Sequence, residues 1–235
     1  MKTIGLLGGM SFESTIPYYR TINREVARVR GGLHSARIVL YSVDFEEIAA
    51  LQRAERWEEA SAVLGRAASL LQDAGAQCLV ICTNTMHRVA DAVAARISIP
   101  LIHIADATAA VVVRARIRRV GLLGTRFTME HPFYRGRIES GHGLEVCVPE
   151  ESERAFVHRV IYEELCQGRV TPESRAGCAA VIERLVARGC EGVILGCTEL
   201  GMLLDVSSAR VPLFDTAEIH ARAAAHYALG TAEDG

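Results

Sequence analysis

The amino-acid sequence predicts an α/β protein of two similar halves, each a mainly parallel sheet flanked by helices. Short, continuous apolar segments alternate with segments of helical periodicity along the 235 residues. This alternation is typical of parallel strands covered on both faces. Three landmarks also recur in the same order: GLLGG returns as GLLGT after 116 residues, VICTN as ILGCT after 114, and IPL as VPL after 112. These offsets indicate a duplicated unit of about 110 residues.

The elements of the first half follow from local patterns. An apolar segment that ends at Gly8-Gly9 predicts a strand over 3–7, and apolar residues at three- and four-residue spacing predict a helix over 13–29. The same signals predict strands over 37–43 and 77–81, a helix over 57–74 that Gly75 ends, and a helix over 86–96.

In the second half, the same patterns predict strands over 119–123, 144–148, 192–195 and 211–214, and helices over 151–166, 172–187 and 217–228. A helix over 105–116 connects the halves, because no Pro/Gly/Ser-rich linker separates them. We therefore expect one domain from 1–103 plus 213–235 and a second, duplicated domain from 104–212. Ligands of such sheets bind beyond the carboxyl ends of the strands, so we expect the active site in a cleft between the domains.

Composition excludes several classes of function. The 26 basic and 28 acidic residues leave a formal net charge of −2, which argues against nucleic acid or an anionic membrane as a partner. Lys2 is the only lysine, and it precedes the first strand. Pyridoxal phosphate enzymes and P-loop sites both need a lysine at the site. We therefore expect no cofactor, and in particular neither pyridoxal phosphate nor a nucleotide bound at a P-loop.

The seven cysteines contain no C-x-x-C pair, which makes a zinc site a poor prediction. No basic region followed by an apolar segment begins the chain, so a signal peptide is not expected. An odd number of cysteines in largely apolar surroundings is typical of free thiols in a reducing compartment. The sequence thus predicts a cytoplasmic protein without a metal.

Two polar segments follow buried strands and open helices: CTNTMH at 82–87 and CTE at 197–199. A helix start offers unpaired N–H groups that bind a carboxylate and lower the pKa of a cysteine. Cys197 is therefore a candidate thiolate base. A buried structural thiol, with Thr198 as an ordinary helix cap, is an equally open interpretation.

Other polar residues have a structural and a functional interpretation. Asn84, Thr85 and Thr198 either cap helices or hold the carboxylate and ammonium of a ligand. Gln52 and Arg53 come at the end of a segment that reaches the mouth of the expected cleft. His87 is interpreted as a surface histidine rather than a proton carrier, and Asp106 and Glu199 as helix-start charges.

With these segments in place, the chain resembles the aspartate/glutamate racemase family. The matching segments are GLLGGMSFESTIPYY near the start, CTNTMH at 82–87, GLLGT at 121–125 and GCTEL at 196–200. They occur in the family's order over nearly the whole chain, and they are most similar to the broad-specificity and aspartate/glutamate subgroup. The resemblance implies that the chain is a cofactor-independent amino-acid racemase with two pseudo-symmetric α/β domains. Such racemases are usually homodimers.

The resemblance also implies a mechanism with two cysteines, one on each side of Cα. Cys197 matches the cysteine of the second domain. Thr83 stands where the family has its first cysteine, with Cys82 one residue earlier, although the close subgroup is similar in having threonine there. Adjacent strand residues point to opposite faces, so only one of Cys82 and Thr83 is expected to face the cleft.

The sequence therefore predicts racemisation of an amino acid, with aspartate or glutamate as the expected substrate, by two-sided proton transfer at Cα. Cys197 and Thr83 are the expected catalytic residues. The expected substrate-binding residues are Met10, Ser11, Gln52, Asn84, Thr85, Thr125 and Thr198. Two alternatives stay open: a related isomerase or decarboxylase of the maleate isomerase, arylmalonate decarboxylase or hydantoin racemase type, and a non-catalytic amino-acid-binding protein.

Overall fold

A computed structural model describes residues 1–204 and 209–231. The chain divides into two compact units. The first contains Met1–His103 together with the chain from His220 onward, and the second is Ile104–Ile219. Each unit is built on its own parallel sheet.

The sheet of the first unit has the strand order β2-β1-β3, with all strands parallel. Its strands are β1 (Ile4–Gly8), β2 (Ile38–Ser42) and β3 (Cys78–Ile81). Its helices are α1 (Phe12–Arg30), α2 (Phe45–Arg53), α3 (Trp57–Asp73) and the short α4 (Ala90–Ala94), which follows a 3₁₀ helix at Thr85–Val89.

The sheet of the second unit has the order β5-β4-β6-β7, again all parallel. Its strands are β4 (Arg119–Gly124), β5 (Glu145–Cys147), β6 (Gly192–Gly196) and β7 (Leu213–Asp215). Its helices are α5 (Ile104–Arg114), α6 (Arg126–Glu130), α7 (Pro132–His142), α8 (Glu151–Glu163), α9 (Pro172–Ala187) and α10 (Leu200–Leu203), with a 3₁₀ helix at Leu165–Gln167. Helix α11 (Thr216–Leu229) returns the chain to the first unit.

The internal repeat is visible in the backbone hydrogen bonds of both sheets. In the first unit, the N–H of Leu79 donates to the carbonyl of Pro100 over 2.9 Å, and Leu79 forms a parallel bridge with Leu101. In the second unit, the N–H of Val193 donates to the carbonyl of Pro212 over 2.9 Å, and Val193 pairs with Leu213. The repeated proline tripeptides thus hold equivalent places beside equivalent strands.

Several boundaries differ from the sequence-based expectation. Residues 213–219 lie with the second unit rather than the first, because β7 pairs with β6. The helix expected over 86–96 is a 3₁₀ turn followed by α4, and the helix expected over 151–166 ends as α8 at Glu163. Helices α2, α6, α7 and α10 were not predicted, since they are short or only weakly periodic.

Apolar side chains cover both faces of the second sheet, as its continuous apolar strands require. Leu122, Ile194 and Phe214 pack on one face with α5 and α7, whereas Leu123, Val193 and Leu195 pack on the other with α8 and α9. In the first unit, Leu7, Leu79 and Ile81 pack against Leu64, Ala68 and Leu71 of α3. These cores fix the strands whose carboxyl ends carry the polar segments.

Candidate active site

Thr83 lies just beyond the carboxyl end of β3. Its N–H donates to the carbonyl of Ile81 over 2.8 Å, which turns the chain sharply away from the strand. Thr83 keeps a small exposed fraction of 8%, whereas the neighbouring Cys82 is fully buried. Of these two candidates for the family's first acid/base position, only Thr83 retains contact with solvent.

Cys82 is surrounded by the core of the first unit. Its N–H donates to the carbonyl of Leu7 over 2.9 Å, and its thiol donates to the carbonyl of Val80 over 3.8 Å. Burial raises the pKa of the Cys82 thiol far above its ordinary value, because a thiolate there would lose its hydration. Cys82 therefore behaves as a buried, protonated thiol.

The residues after Thr83 form a buried polar turn. Asn84, Thr85 and His87 expose 2%, 4% and 3% of their surface. His87 is thus not the surface histidine that the sequence suggested: its Nδ1–H donates to the carbonyl of Thr83 over 2.7 Å. A single turn of 3₁₀ helix brings the ring back over the residue four positions earlier.

The first glycine loop, after β1, is fixed by its backbone. Gly9 has φ +88°, and a Cβ there would lie 2.3 Å from the carbonyl oxygen of Val43, so only glycine fits. Its N–H donates to Oγ1 of Thr15 over 2.9 Å. Met10 and Ser11, which follow, are each 2% exposed. The loop therefore presents a buried, rigid segment at the end of β1.

Gln52 and Arg53 have different surroundings from each other. Gln52 is buried, and its Nε2 donates to Sδ of Met86 over 3.0 Å, so it lies against the turn that follows Thr83. Arg53 is more than half exposed and pairs with Glu46 on α2. Gln52 thus belongs to the polar segment, whereas Arg53 forms a surface ion pair.

In the second unit, Cys197 follows β6 directly and contacts a buried carboxylate. Its thiol donates to Oε2 of Glu199 over 3.0 Å. The hydroxyl of Thr198 donates to the same oxygen over 2.7 Å, and the thiol of Cys166 donates to Oε1 over 3.7 Å. Glu199 is only 2% exposed. The carboxylate is therefore held between two thiols and a hydroxyl.

The pKa of the Cys197 thiol shifts in the direction opposite to the one that the sequence predicts. The sequence suggested that a helix start lowers the pKa of its thiol, but α10 is a single turn that begins only at Leu200. Burial raises the pKa of Cys197 well above its ordinary value, and the negative charge of Glu199 and the nearby Cys166 raise it further. Cys197 is therefore a protonated thiol in this state.

Glu199 is the functional candidate that sequence reasoning missed, because it was assigned to a helix start. No side-chain capping bond is made by Glu199, whose carboxylate turns back to Cys197 instead. One feature of the sequence points to Glu199: it lies two residues after a cysteine, in a segment that follows a buried strand. Asp106, which was assigned in the same way, pairs with Arg137 at 2.7 Å.

Thr125 lies after β4, beside the Cys197 segment. It caps α6: its Oγ1 accepts from the N–H of Thr128 over 3.3 Å. A Cβ on Gly124 would lie 2.7 Å from the carbonyl oxygen of Gly196, so glycine allows the ends of β4 and β6 to approach closely. The fold of this unit thus brings Thr125, Cys197 and Thr198 to neighbouring strand ends.

Among residues 1–204 and 209–231, no group of three or more His, Cys, Asp or Glu side chains is arranged to hold a metal ion. In the same part of the chain, no helix is long and apolar enough to cross a membrane.

The chain is similar to solved structures whose names refer to racemases. The chain is similar to a crystal structure from Yersinia pestis that bears the name Asp/Glu racemase, with 54% identity, a TM-score of 0.90, and coverage of 97% of this chain and 100% of that one. It is also similar to an aspartate racemase homologue from Pyrococcus horikoshii, with 36% identity, a TM-score of 0.83, and coverage of 97% and 100%.

Among curated proteins, the chain is 23% identical to the broad-specificity amino-acid racemase of Bacillus subtilis over 91% of this chain and 92% of that protein. A match to the glutamate racemase of Synechococcus, at 29% identity, spans 60% of this chain and about half (51%) of that protein.

Two duplicated parallel-sheet units, each with a buried polar segment at its strand ends, define a two-domain α/β protein with the potential for acid/base chemistry. The family model described as Asp/Glu/hydantoin racemase matches residues 7–224, and the chain belongs to that family. The predicted family and the predicted α/β class are thereby confirmed. The family and its named relatives support amino-acid racemisation, an isomerase activity.

Proposed function

We propose that this protein interconverts the enantiomers of aspartate or glutamate by proton transfer at Cα, without a cofactor. In this proposal Cys197 serves one face of Cα and Thr83 serves the other. The observation that carries the proposal is the hydrogen bond of 3.0 Å from the Cys197 thiol to the buried carboxylate of Glu199. A carboxylate in this position can accept the thiol proton and return it.

The proton balance at Cys197 is simple. Transfer of the S–H proton to Oε2 of Glu199 leaves a thiolate and a neutral carboxylic acid, which avoids two adjacent buried negative charges. The thiolate then takes the α-proton of the substrate and becomes a thiol again. Because its surroundings raise the pKa of this thiol, the thiolate is a stronger base once it forms. The surroundings that keep the population of the Cys197 thiolate small therefore also make that thiolate a stronger base.

Thr83 supplies a proton to the opposite face of the carbanion. A hydroxyl is a weaker acid than a thiol, and the resulting alkoxide regains a proton from water. The hydroxide that remains takes the proton held on Glu199, so that Cys197, Glu199 and Thr83 all return to their starting protonation. The groups on the two faces therefore differ, so we expect different turnover numbers for the two enantiomers at saturation, with KM differing in proportion because kcat/KM is the same in both directions. The final mixture in water is still racemic, because an enzyme does not change the equilibrium constant.

The amino acid itself is held, in this proposal, by the polar groups at the strand ends. Asn84, Thr85 and Ser11 contribute buried polar side chains, and Met10 contributes apolar contact. Gln52, Thr125 and Thr198 complete the proposed set, and each also makes a hydrogen bond within the protein. Polar groups of these kinds suit the carboxylate and ammonium of an amino acid.

We also propose a homodimer formed through α1 and β2. Phe12, Ile16 and Tyr19 lie on one stripe of α1 and are about half or more exposed, and Leu40 and Tyr41 are exposed on the edge strand β2. Exposed apolar patches of this kind mark interaction surfaces. Sedimentation should give a dimer for the parent and a monomer for Ile16→Asp, with exposed Val170→Asp on the second unit as the control.

We propose a cytoplasmic location because the cysteines are free. All seven cysteines are free, and six of them are buried. Free buried thiols are typical of a reducing compartment. Fractionation of cells that express the full chain tests this point: recovery with periplasmic or membrane markers would contradict it.

The function is tested by incubating the protein with a panel of L- and D-amino acids in D₂O. Loss of the Cα proton signal, with the appearance of the opposite enantiomer, is expected for aspartate, glutamate or both. Binding of an amino acid without exchange would instead indicate a binding protein. Turnover confined to maleate, an arylmalonate or a hydantoin would indicate one of the related reactions.

A further inference from the structure

The backbone of Thr83 is fixed on both sides. Its N–H donates to the carbonyl of Ile81 over 2.8 Å, and its carbonyl accepts from Nδ1–H of His87 over 2.7 Å. The orientation of a short side chain follows from its backbone, because a threonine has few rotamers. The direction of the Thr83 hydroxyl is therefore set in part by His87.

The protonation of Nδ1 in His87 follows from its partner. A carbonyl oxygen only accepts, so Nδ1 must carry the hydrogen whether the ring is neutral or charged. The backbone holds the ring as well, since the N–H of His87 donates to the carbonyl of Asn84 over 3.0 Å. This hydrogen bond to Thr83 therefore requires only that Nδ1 of His87 carries a hydrogen.

The ring of His87 is itself immobilised by two other histidines of the same unit. The ring of His103 lies edge-on at a centroid distance of 4.5 Å, and the ring of His220 lies at 5.6 Å. His220 is fully buried, with Nε2–H donating to the carbonyl of Ile102 over 2.7 Å and Nδ1 accepting from the hydroxyl of Tyr18 over 2.9 Å. Because both nitrogens of His220 are held, it forms a rigid surface for His87.

We propose that His87 is a positioning residue for Thr83, and that the packed histidines His103 and His220 hold His87 in place. This inference rests on the proposed function, because it concerns the half of the reaction that Thr83 serves. It differs from a general structural role in one respect. Loss of the hydrogen bond should slow inversion, which needs Thr83, far more than exchange of the α-proton at Cys197.

The test compares His87→Leu, which removes the donor, with His87→Asn, whose amide N–H replaces that of Nδ1. Each variant receives each pure enantiomer in D₂O, and the ratio of inversion to exchange without inversion is measured. A buried acceptor without its donor costs enough to change a rate by about tenfold. We expect this ratio to fall about tenfold in His87→Leu and to recover in His87→Asn.

His226→Leu is the matched control, because His226 is a buried histidine of the same unit that contacts Glu25 and Thr231 instead of Thr83. An unchanged ratio in His87→Leu, or an equal fall in His226→Leu, would overturn the inference. If His87→Leu does not fold, His87→Gln, whose N–H is displaced by one bond, is compared with His87→Asn in the same way. A parent protein without exchange or inversion would refute the proposed function, and this inference with it. A normal parent with an unaltered variant refutes only the inference.

Discussion

The thiol of Cys197 donates to the carboxylate of Glu199 with 3.0 Å between Sγ and Oε2, at a point where only 2% of Glu199 is exposed. Two residues that are nearly adjacent in the chain thus form a hydrogen-bonded thiol–carboxylate pair out of contact with most solvent. Proton transfer within such a pair depends on both members. Substitution of Glu199 should therefore change the reactivity of the Cys197 thiol and the turnover of substrate in opposite directions.

Glu199→Gln removes the negative charge but keeps the size of the side chain. Because the charge of Glu199 raises the pKa of Cys197, we expect this pKa to fall in the variant. Alkylation of Cys197 at pH 8, followed by peptide mass spectrometry, should become faster. Racemisation should nevertheless fall by about 100-fold, because the proton acceptor is lost. Glu164→Gln is the control, since Glu164 accepts from Ser174 in the same unit. Parent-like turnover in Glu199→Gln would contradict the pairing.

The two candidate cysteines should differ sharply in their effect on exchange. Cys197→Ser is expected to abolish exchange of the Cα proton, since a serine hydroxyl is a much weaker acid than a thiol. Cys82→Ser should keep most activity, because the Cys82 thiol donates only to the carbonyl of Val80 in the core. The measurement is deuterium incorporation, with circular dichroism to verify folding. Comparable loss in both variants would mean that the Cys82 thiol also serves the reaction.

Thr83 determines how unequal the turnover numbers of the two enantiomers are at saturation. Thr83→Cys should raise the smaller of the two, because a thiol serves as acid or base nearer neutrality than a hydroxyl. Thr83→Ala should retain deuterium exchange on the Cys197 face while suppressing inversion. Initial rates from each pure enantiomer, with deuterium followed in substrate and product, test both variants. Inversion of both enantiomers by Thr83→Ala at the parent rate would remove Thr83 from the proton path.

Activity should not depend on pyridoxal phosphate or a metal. The only lysine, Lys2, precedes β1 and lies at the amino end of that strand, whereas the polar segments follow the carboxyl ends. Dialysis against a chelator and treatment with a carbonyl-trapping reagent should leave the racemisation rate unchanged. Loss of activity that either cofactor restores would be the contrary result.

His220 should make the folded protein sensitive to mild acid. Burial lowers its pKa to about 3, whereas an unfolded histidine titrates near 6.5. Below 6.5 the unfolded state binds more protons, so this stabilisation is complete above pH 6.5 and is lost as the pH falls toward 3. His220 alone should lower the unfolding free energy by about 1 kcal/mol between pH 7.5 and 5.5. Urea unfolding at both pH values should show this decrease, and His220→Phe should show correspondingly less.

Local patterns in the chain specify the class of fold and the order of its strands and helices. Continuous apolar strands predict a covered parallel sheet, and the repeated glycine, polar and proline landmarks align Thr83 with Cys197 across a duplication. The backbone bonds of Pro100 and Pro212 show that this duplication is also present in the sheets. Periodicity missed α2 and α6, because nine- and five-residue helices span too few turns for a clear pattern.

The surroundings of the polar side chains depend on the packing of the folded chain. A helix-start argument predicted a lowered pKa for Cys197, but burial and the carboxylate of Glu199 raise it. His87 was predicted at the surface, yet His103 and His220, which come from distant parts of the chain, enclose its ring. Desolvation and long-range packing depend on which segments the fold brings together, and local spacing carries no information about either. The chain order therefore predicts where the site is, and the packing sets the protonation of its thiol.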